Sequence, residues 1–170
     1  MIVSSFNSHS VLVTEPLLKK RQEKTYRVVE MKRNKLNNSF KAYLEVLNLW
    51  DKQDIQTNLR YNIFVLNNDR QMVLGTTTKD IFELEDNPQK FLENLKEIYE
   101  NAEHSEKTNI QNPEIIVCRN KLGKTINIEP DVIELAQNIA DIAPKFGFKL
   151  NDFLVINPNS YMSYRDNKLI

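Results

Sequence analysis

The chain has 170 residues, 41% hydrophobic and 27% charged, which suits one globular domain with its own core and excludes fibrous, disordered and membrane classes. Because 23 Lys+Arg balance 23 Asp+Glu, no global field holds the protein on nucleic acid or an anionic bilayer, and any polyanion contact must be regional. One cysteine and two histidines exclude an intrachain disulfide and a cysteine-rich zinc module, so a zinc site would have to gather distant residues or lean on carboxylates.

Residues 1–36 differ in character from the rest. They are Ser/Asn-rich at first and then basic, with Lys19, Lys20, Arg21, Lys24, Arg27, Lys32, Arg33 and Lys35 against Glu15, Glu23 and Glu30. The acidic excess therefore lies in the remainder. The segment reads as a solvated arm carrying a short edge strand at 25–31, with a nucleic-acid contact through Lys19, Lys20 and Arg21 as the competing reading. Met1 to Val13 lack the basic and apolar stretches of an export signal, and no window approaches the roughly 18 apolar residues of a membrane span, so a cytoplasmic location is expected.

From Ser39, the residues Phe40, Tyr43, Leu44, Leu47 and Trp50 are spaced for one face of a helix, with Asn38 or Ser39 as N-cap. Tyr61–Asn67 and Met72–Thr78 read as two strands joined at Asn68-Asp69. Asn87-Pro88 opens a second amphipathic helix, on which Phe91, Leu92, Leu95, Ile98 and Tyr99 share a stripe. Pro113 precedes a buried-looking strand, Ile115–Cys118. The last helix has Pro130 in its first turn, an inner face of Val132, Leu135, Ala136, Ile139, Ala143 and Phe146, and Gly147 as C-cap. A strand at Leu154–Ile156, a turn at Asn157-Pro158-Asn159 and a closing strand at Tyr161–Tyr164 complete an α/β pattern.

The order helix, hairpin, helix, strand, loop, helix, hairpin, together with particular segments, resembles the RadC-type proteins of the JAB/MPN (JAMM) superfamily. LNDFLVI is similar to the "leu-x-Asp-his-leu-ile-ile" strand of that family, SYMSYRD to its Tyr-x-Ser-Phe hairpin, and LNLWDKQDIQTNLRYNIFVLNNDRQMVLG to its first hairpin half. The resemblance runs from about Asn38 to Ile170. It implies a single JAB/MPN-like domain after the arm: a curved mixed sheet around the helix Asp131–Phe146, with the helices Ser39–Trp50 and Pro88–Glu103 on its outer faces.

In that family two His and one Asp bind zinc, a Glu on an early strand is the general base, and a Ser stabilises the oxyanion. Laid on the motif without gaps, this chain has Cys118 and Asn120 in the His positions, Ile128 in the Ser position and Leu59 in the Glu position, or Arg60 after a one-residue shift. Asp131 alone agrees. Zinc hydrolysis needs three strong donors, an open water position and a positioned base, so the resemblance implies a lost site with no zinc cofactor.

Each motif position also has a plain structural reading. Asp131 suits a helix first turn through the helix dipole, and Cys118 suits a buried apolar strand. His9 and His104 fall in polar segments. Arg119, Lys121 and Lys124 make the former metal loop basic, either as a replacement anion site or as a solvated loop. The expectation is a catalytically inactive RadC-like module that binds or scaffolds proteins, with a protein partner or a homodimer, and without a membrane. The alternatives are a metal-dependent JAMM-type hydrolase or isopeptidase using Cys118, Asp131 and a third ligand such as His104, and a DNA-associated protein binding through the basic arm.

Overall fold

The computed structural model describes residues 26–29, 35–50, 52–78, 81–101 and 111–170. Six strands, β1 (Tyr26–Val29), β2 (Tyr61–Leu66), β3 (Met72–Thr78), β4 (Glu114–Asn120), β5 (Lys149–Asn157) and β6 (Ser160–Ser163), lie in one sheet in the order β1-β3-β2-β4-β5-β6. Only β4 and β5 run parallel among these neighbours. A parallel pair cannot close through a tight turn, and here the chain crosses over through a helix. The helices are α1 (Ser39–Leu49), α2 (Lys52–Thr57), α3 (Ile81–Asp86), α4 (Pro88–Asn101) and α5 (Pro130–Ile142), the last continued by a 3-10 turn, Ala143–Phe146.

The two-residue period of the strands sorts their side chains into two cores. Tyr61, Ile63, Val65, Ile115, Val117, Phe153 and Val155 pack with Leu84, Phe91, Leu92, Leu95, Val132, Ala136 and Ile139, so α3, α4 and α5 cover one face. Phe64, Leu66, Ile116, Cys118, Leu154 and Ile156 pack with Ala42, Tyr43, Val46, Trp50 and Ile55, so α1 and α2 cover the other. The result is a mixed sheet between two helical layers. Both α4 and α5 lie on one side, because their apolar stripes bury into the same core.

Local chemistry explains the element ends. Asn38 caps α1 by accepting from Lys41 N at 2.9 Å. Pro130 occupies the first turn of α5, where its missing N–H is no loss. Gly147 has φ of 81°, and the N–H groups of Gly147 and Phe148 reach the Pro144 and Ala143 carbonyls, both at 3.1 Å. That left-handed helix ending favours glycine.

Several expected bounds move. The strand expected at 154–156 runs over Lys149–Asn157, since Asp152 interrupts the apolar pattern without ending the strand. The strand expected at 115–118 extends to Asn120. The closing strand is Ser160–Ser163, and the helix expected to reach 146 ends in the 3-10 turn. Helices α2 and α3, of 6 residues each, appear where no element was expected. Among the described residues no helix is long and apolar enough to cross a membrane.

Candidate functional site

The end of β4 is where the motif positions can be compared with space. Cys118 and Asn120 are two residues apart on a strand and so share a face, which is the face covered by α1 and α2. Asn120 is fully buried. Its Nδ2 donates to the Ile55 carbonyl at 2.9 Å and to the Asn58 carbonyl at 2.6 Å, while Oδ1 accepts from Arg60 N at 2.6 Å. The amide thus ties the end of α2 and the segment entering β2 onto the sheet. Cys118 is a free, fully buried thiol, pushed up well above its ordinary value by burial and then by the charge of Asp152.

Asp131 belongs to the other layer. It is exposed in the first turn of α5, the place where a carboxylate meets the positive end of the helix dipole. Ile128 is 55% exposed, and Leu59 is half-buried in the segment before β2. Arg60, the shifted alternative to Leu59, donates its backbone N–H to Asn120. Gly123 has φ of 109° and bends the loop after β4.

The structure does not bring the motif residues together. The amide of Asn120 is committed to three backbone groups, the thiol of Cys118 lies beneath α1, and Asp131 stands on the opposite layer. This donor set does not fit a zinc ion. Among the described residues no group of three or more His, Cys, Asp or Glu could hold a metal. His9 and His104 lie outside the described residues, as do Lys19, Lys20 and Arg21.

The other face of β4 carries charge. Arg119 Nε is 3.4 Å from Glu85 Oε1, Arg119 Nη1 is 3.5 Å from Glu129 Oε2, and Lys121 pairs with Glu129. Tyr61 donates its hydroxyl to Glu85 Oε1 at 2.8 Å. Burial raises the Tyr61 phenol; Arg119 opposes this and Glu85 adds to it. Burial alone would lower the Arg119 guanidinium, but Tyr61, Glu85 and Glu129 outweigh it and raise it. Two of the three cations considered for an anion site therefore already have carboxylates against them. The third, Lys124, sits exposed on the loop, where its backbone carbonyl accepts from Asn157 Nδ2 at 3.2 Å.

A polar centre that the sequence reading passed over surrounds Asp152, which is 1% exposed. Its Oδ2 accepts from Ser39 Oγ at 2.8 Å and Ser163 Oγ at 2.7 Å, and its Oδ1 from the backbone of Phe153 at 2.8 Å and of Arg165 at 3.1 Å. Arg165 Nη2 lies 3.9 Å from Oδ2. This buried carboxylate joins the start of α1 to β5 and to the turn after β6. Its signal in the sequence is one charged residue inside the apolar run LNDFLVI. Beside it, the loop at 124–127 and β6 bound an open groove of about 820 Å³ whose lining is about equally polar and apolar.

No family model matches the chain, and no curated protein matches it.

Proposed function

We propose that the chain is a catalytically inactive RadC-like JAB/MPN domain, without the zinc of that superfamily, that acts in the cytoplasm as a protein-binding or scaffolding module. One observation carries this reading. Asn120, in a ligand position of the motif, spends its amide on Ile55, Asn58 and Arg60 inside the fold. A residue so placed secures a loop, its amide oxygen turned to the Arg60 N–H inside the fold and not to an open metal position. The residues in the other motif positions agree with it: Cys118 is sealed beneath α1, Leu59 has no acid–base chemistry, and Ile128 has no hydrogen to donate to an oxyanion. Support for the resemblance itself comes from the element order between Ser39 and Ser163, which is helix, hairpin, helix, strand, loop, helix, hairpin, with two short helices added.

Metal analysis of the full chain, purified without chelator and again after incubation with zinc, tests the proposal. The expected result is no stoichiometric zinc and no cleavage of isopeptide-linked substrates in either sample. Stoichiometric zinc that disappears in Asp131→Ala refutes it.

A further inference from the structure

Strand β6 ends the sheet, pairing with β5 on one edge and with no described strand on the other. The Tyr164 N–H donates to the Phe153 carbonyl at 2.9 Å, which fixes the phase of the antiparallel ladder. Ser160, Met162 and Tyr164 therefore turn their backbone groups toward β5, and Tyr161 and Ser163 turn theirs outward. Asn167 occupies the Ser163 carbonyl, through its N–H at 3.2 Å and its Nδ2 at 2.7 Å. Among the described residues, the N–H and C=O of Tyr161 and the N–H of Ser163 stay unpaired. The strand has no proline, charged residue or bulge to keep another strand away.

The groove of about 820 Å³ beside Asp152 has β6 as one wall and the loop at 124–127 as the other. On that loop Thr125, Ile126 and Asn127 make no backbone hydrogen bond with any described residue. Buried Asn157 ties the two walls together: its Nδ2 donates to the Lys124 carbonyl at 3.2 Å, and its Oδ1 accepts from Ser160 N at 2.8 Å. At the other end Ser163 Oγ donates to Asp152 and accepts from Asp166 N at 3.0 Å. The groove is thus set before anything enters it, which lowers the ordering cost of binding. Backbone left unpaired along both walls is met by one kind of ligand, another main chain in extended form. The space suits a lone strand, since a second copy of the chain would have to bring its own β5 and loop in with its β6. Side chains narrow the choice further. Ile126 and Met162, each half-buried against the core beneath α5, offer an apolar seat, and exposed Lys124 has no carboxylate partner among the described residues. An apolar residue and an acidic one complement them.

We propose that the free edge of β6 takes up an extended segment of a partner protein, apolar and acidic in character, which pairs with Tyr161 and Ser163 and extends the sheet by one strand. This names the kind of partner in the protein-binding reading and rests on that reading. Random octapeptides displayed on phage, selected on the full chain, test it, with the most enriched sequence then made as a free peptide. The enriched sequences should combine an apolar residue with an acidic one. On adding the peptide, the Tyr161 and Ser163 amides should gain protection from hydrogen exchange in nuclear magnetic resonance spectra, while Met162 and Tyr164, already bonded to β5, change little. Tyr161→Pro removes a donor that the fold does not use, and an edge strand accepts proline there, so affinity should fall about tenfold. Lys124→Glu should weaken the same peptide. Where the proline disturbs the strand itself, the protection pattern of the unaltered chain and Lys124→Glu still decide. No enrichment, protection gained at residues away from β6 and the loop at 124–127, or unchanged affinity in Lys124→Glu overturns the proposal. Zinc content measured on the same samples reports separately on the inactive-domain reading, so either can fail without the other.

Discussion

Replacing Asn120 by leucine, which has a similar branched outline, removes every hydrogen bond of the amide while keeping the space filled. Three backbone groups lose their partners: the Ile55 and Asn58 carbonyls and the Arg60 N–H. A buried group left unmet costs about 1–3 kcal/mol. Ile55 is fully buried, so its carbonyl belongs at the upper end of that range. Asn58 is exposed and Arg60 half-buried, so water reaches them and each belongs near the lower end. Together they come to about 3–5 kcal/mol, a large share of the roughly 5–15 kcal/mol that holds a domain folded. For a chain of this length, at about 2–4 °C per kcal/mol, the melting temperature should fall by about 6–20 °C. Equilibrium urea unfolding followed by circular dichroism measures the loss, with the slope unchanged if only stability has moved. Asn120→Asp should be worse, because it keeps the acceptor for Arg60 but sets a carboxylate oxygen against two carbonyl oxygens. A loss below about 1 kcal/mol for the leucine variant, or an aspartate variant milder than the leucine one, refutes the assignment of Asn120 as the tie of this loop.

Cys118, buried with its thiol pushed up, should resist thiol reagents in the native state and react at the rate at which the sheet opens; fast labelling of native protein would contradict its placement. Asp152→Ala strands the hydroxyl hydrogen of Ser163 and the N–H groups of Phe153 and Arg165, while Ser39 Oγ keeps Asp166 Oδ2 at 2.8 Å as acceptor, for a loss of about 3–5 kcal/mol in the same urea assay. Alkali should unfold the protein through its tyrosines. Burial raises Tyr43, Tyr61, Tyr99 and Tyr164, so the folded chain holds protons that the unfolded chain releases above its ordinary value of about 10. Their contribution is fully present below that pH and is lost above it, by about 1.4 kcal/mol per pH unit for Tyr61, the most strongly raised of them. Phenolate absorbance from these residues should therefore rise together with the loss of circular dichroism; a rise well before unfolding would speak against it.

What could be read in advance was what neighbouring residues decide among themselves. Pro130 and Gly147 mark the ends of the last helical segment because first-turn proline and left-handed glycine are local backbone effects. Met72–Thr78 emerged as expected because strand propensity and its turn are both short-range. Helices α2 and α3 escaped notice because fewer than two turns show no period. The strand expected at Ile115–Cys118 left Asn120 outside it, so that Cys118 and Asn120 share a face, and which face, emerged only with the longer β4. That depends on the side taken by α5, so the separation of Asp131 from both is a tertiary fact. Asp152 went unread although it is a charged residue in an apolar run, because its partner Ser39 is 113 residues away in the chain.

The strands β2, β4 and β5 alternate their residues between the two cores, and every residue of β2 is buried. The sheet is thus a shared wall, and neither helical layer can peel away without wetting residues whose strand neighbours hold the layer behind. Native-state hydrogen exchange in these strands should then have a single slow class, released only by global opening. For sequence change over time, this means that substitutions in the exposed loop after β4 are free to drift toward new partners. The wall itself permits little more than exchanges of like volume.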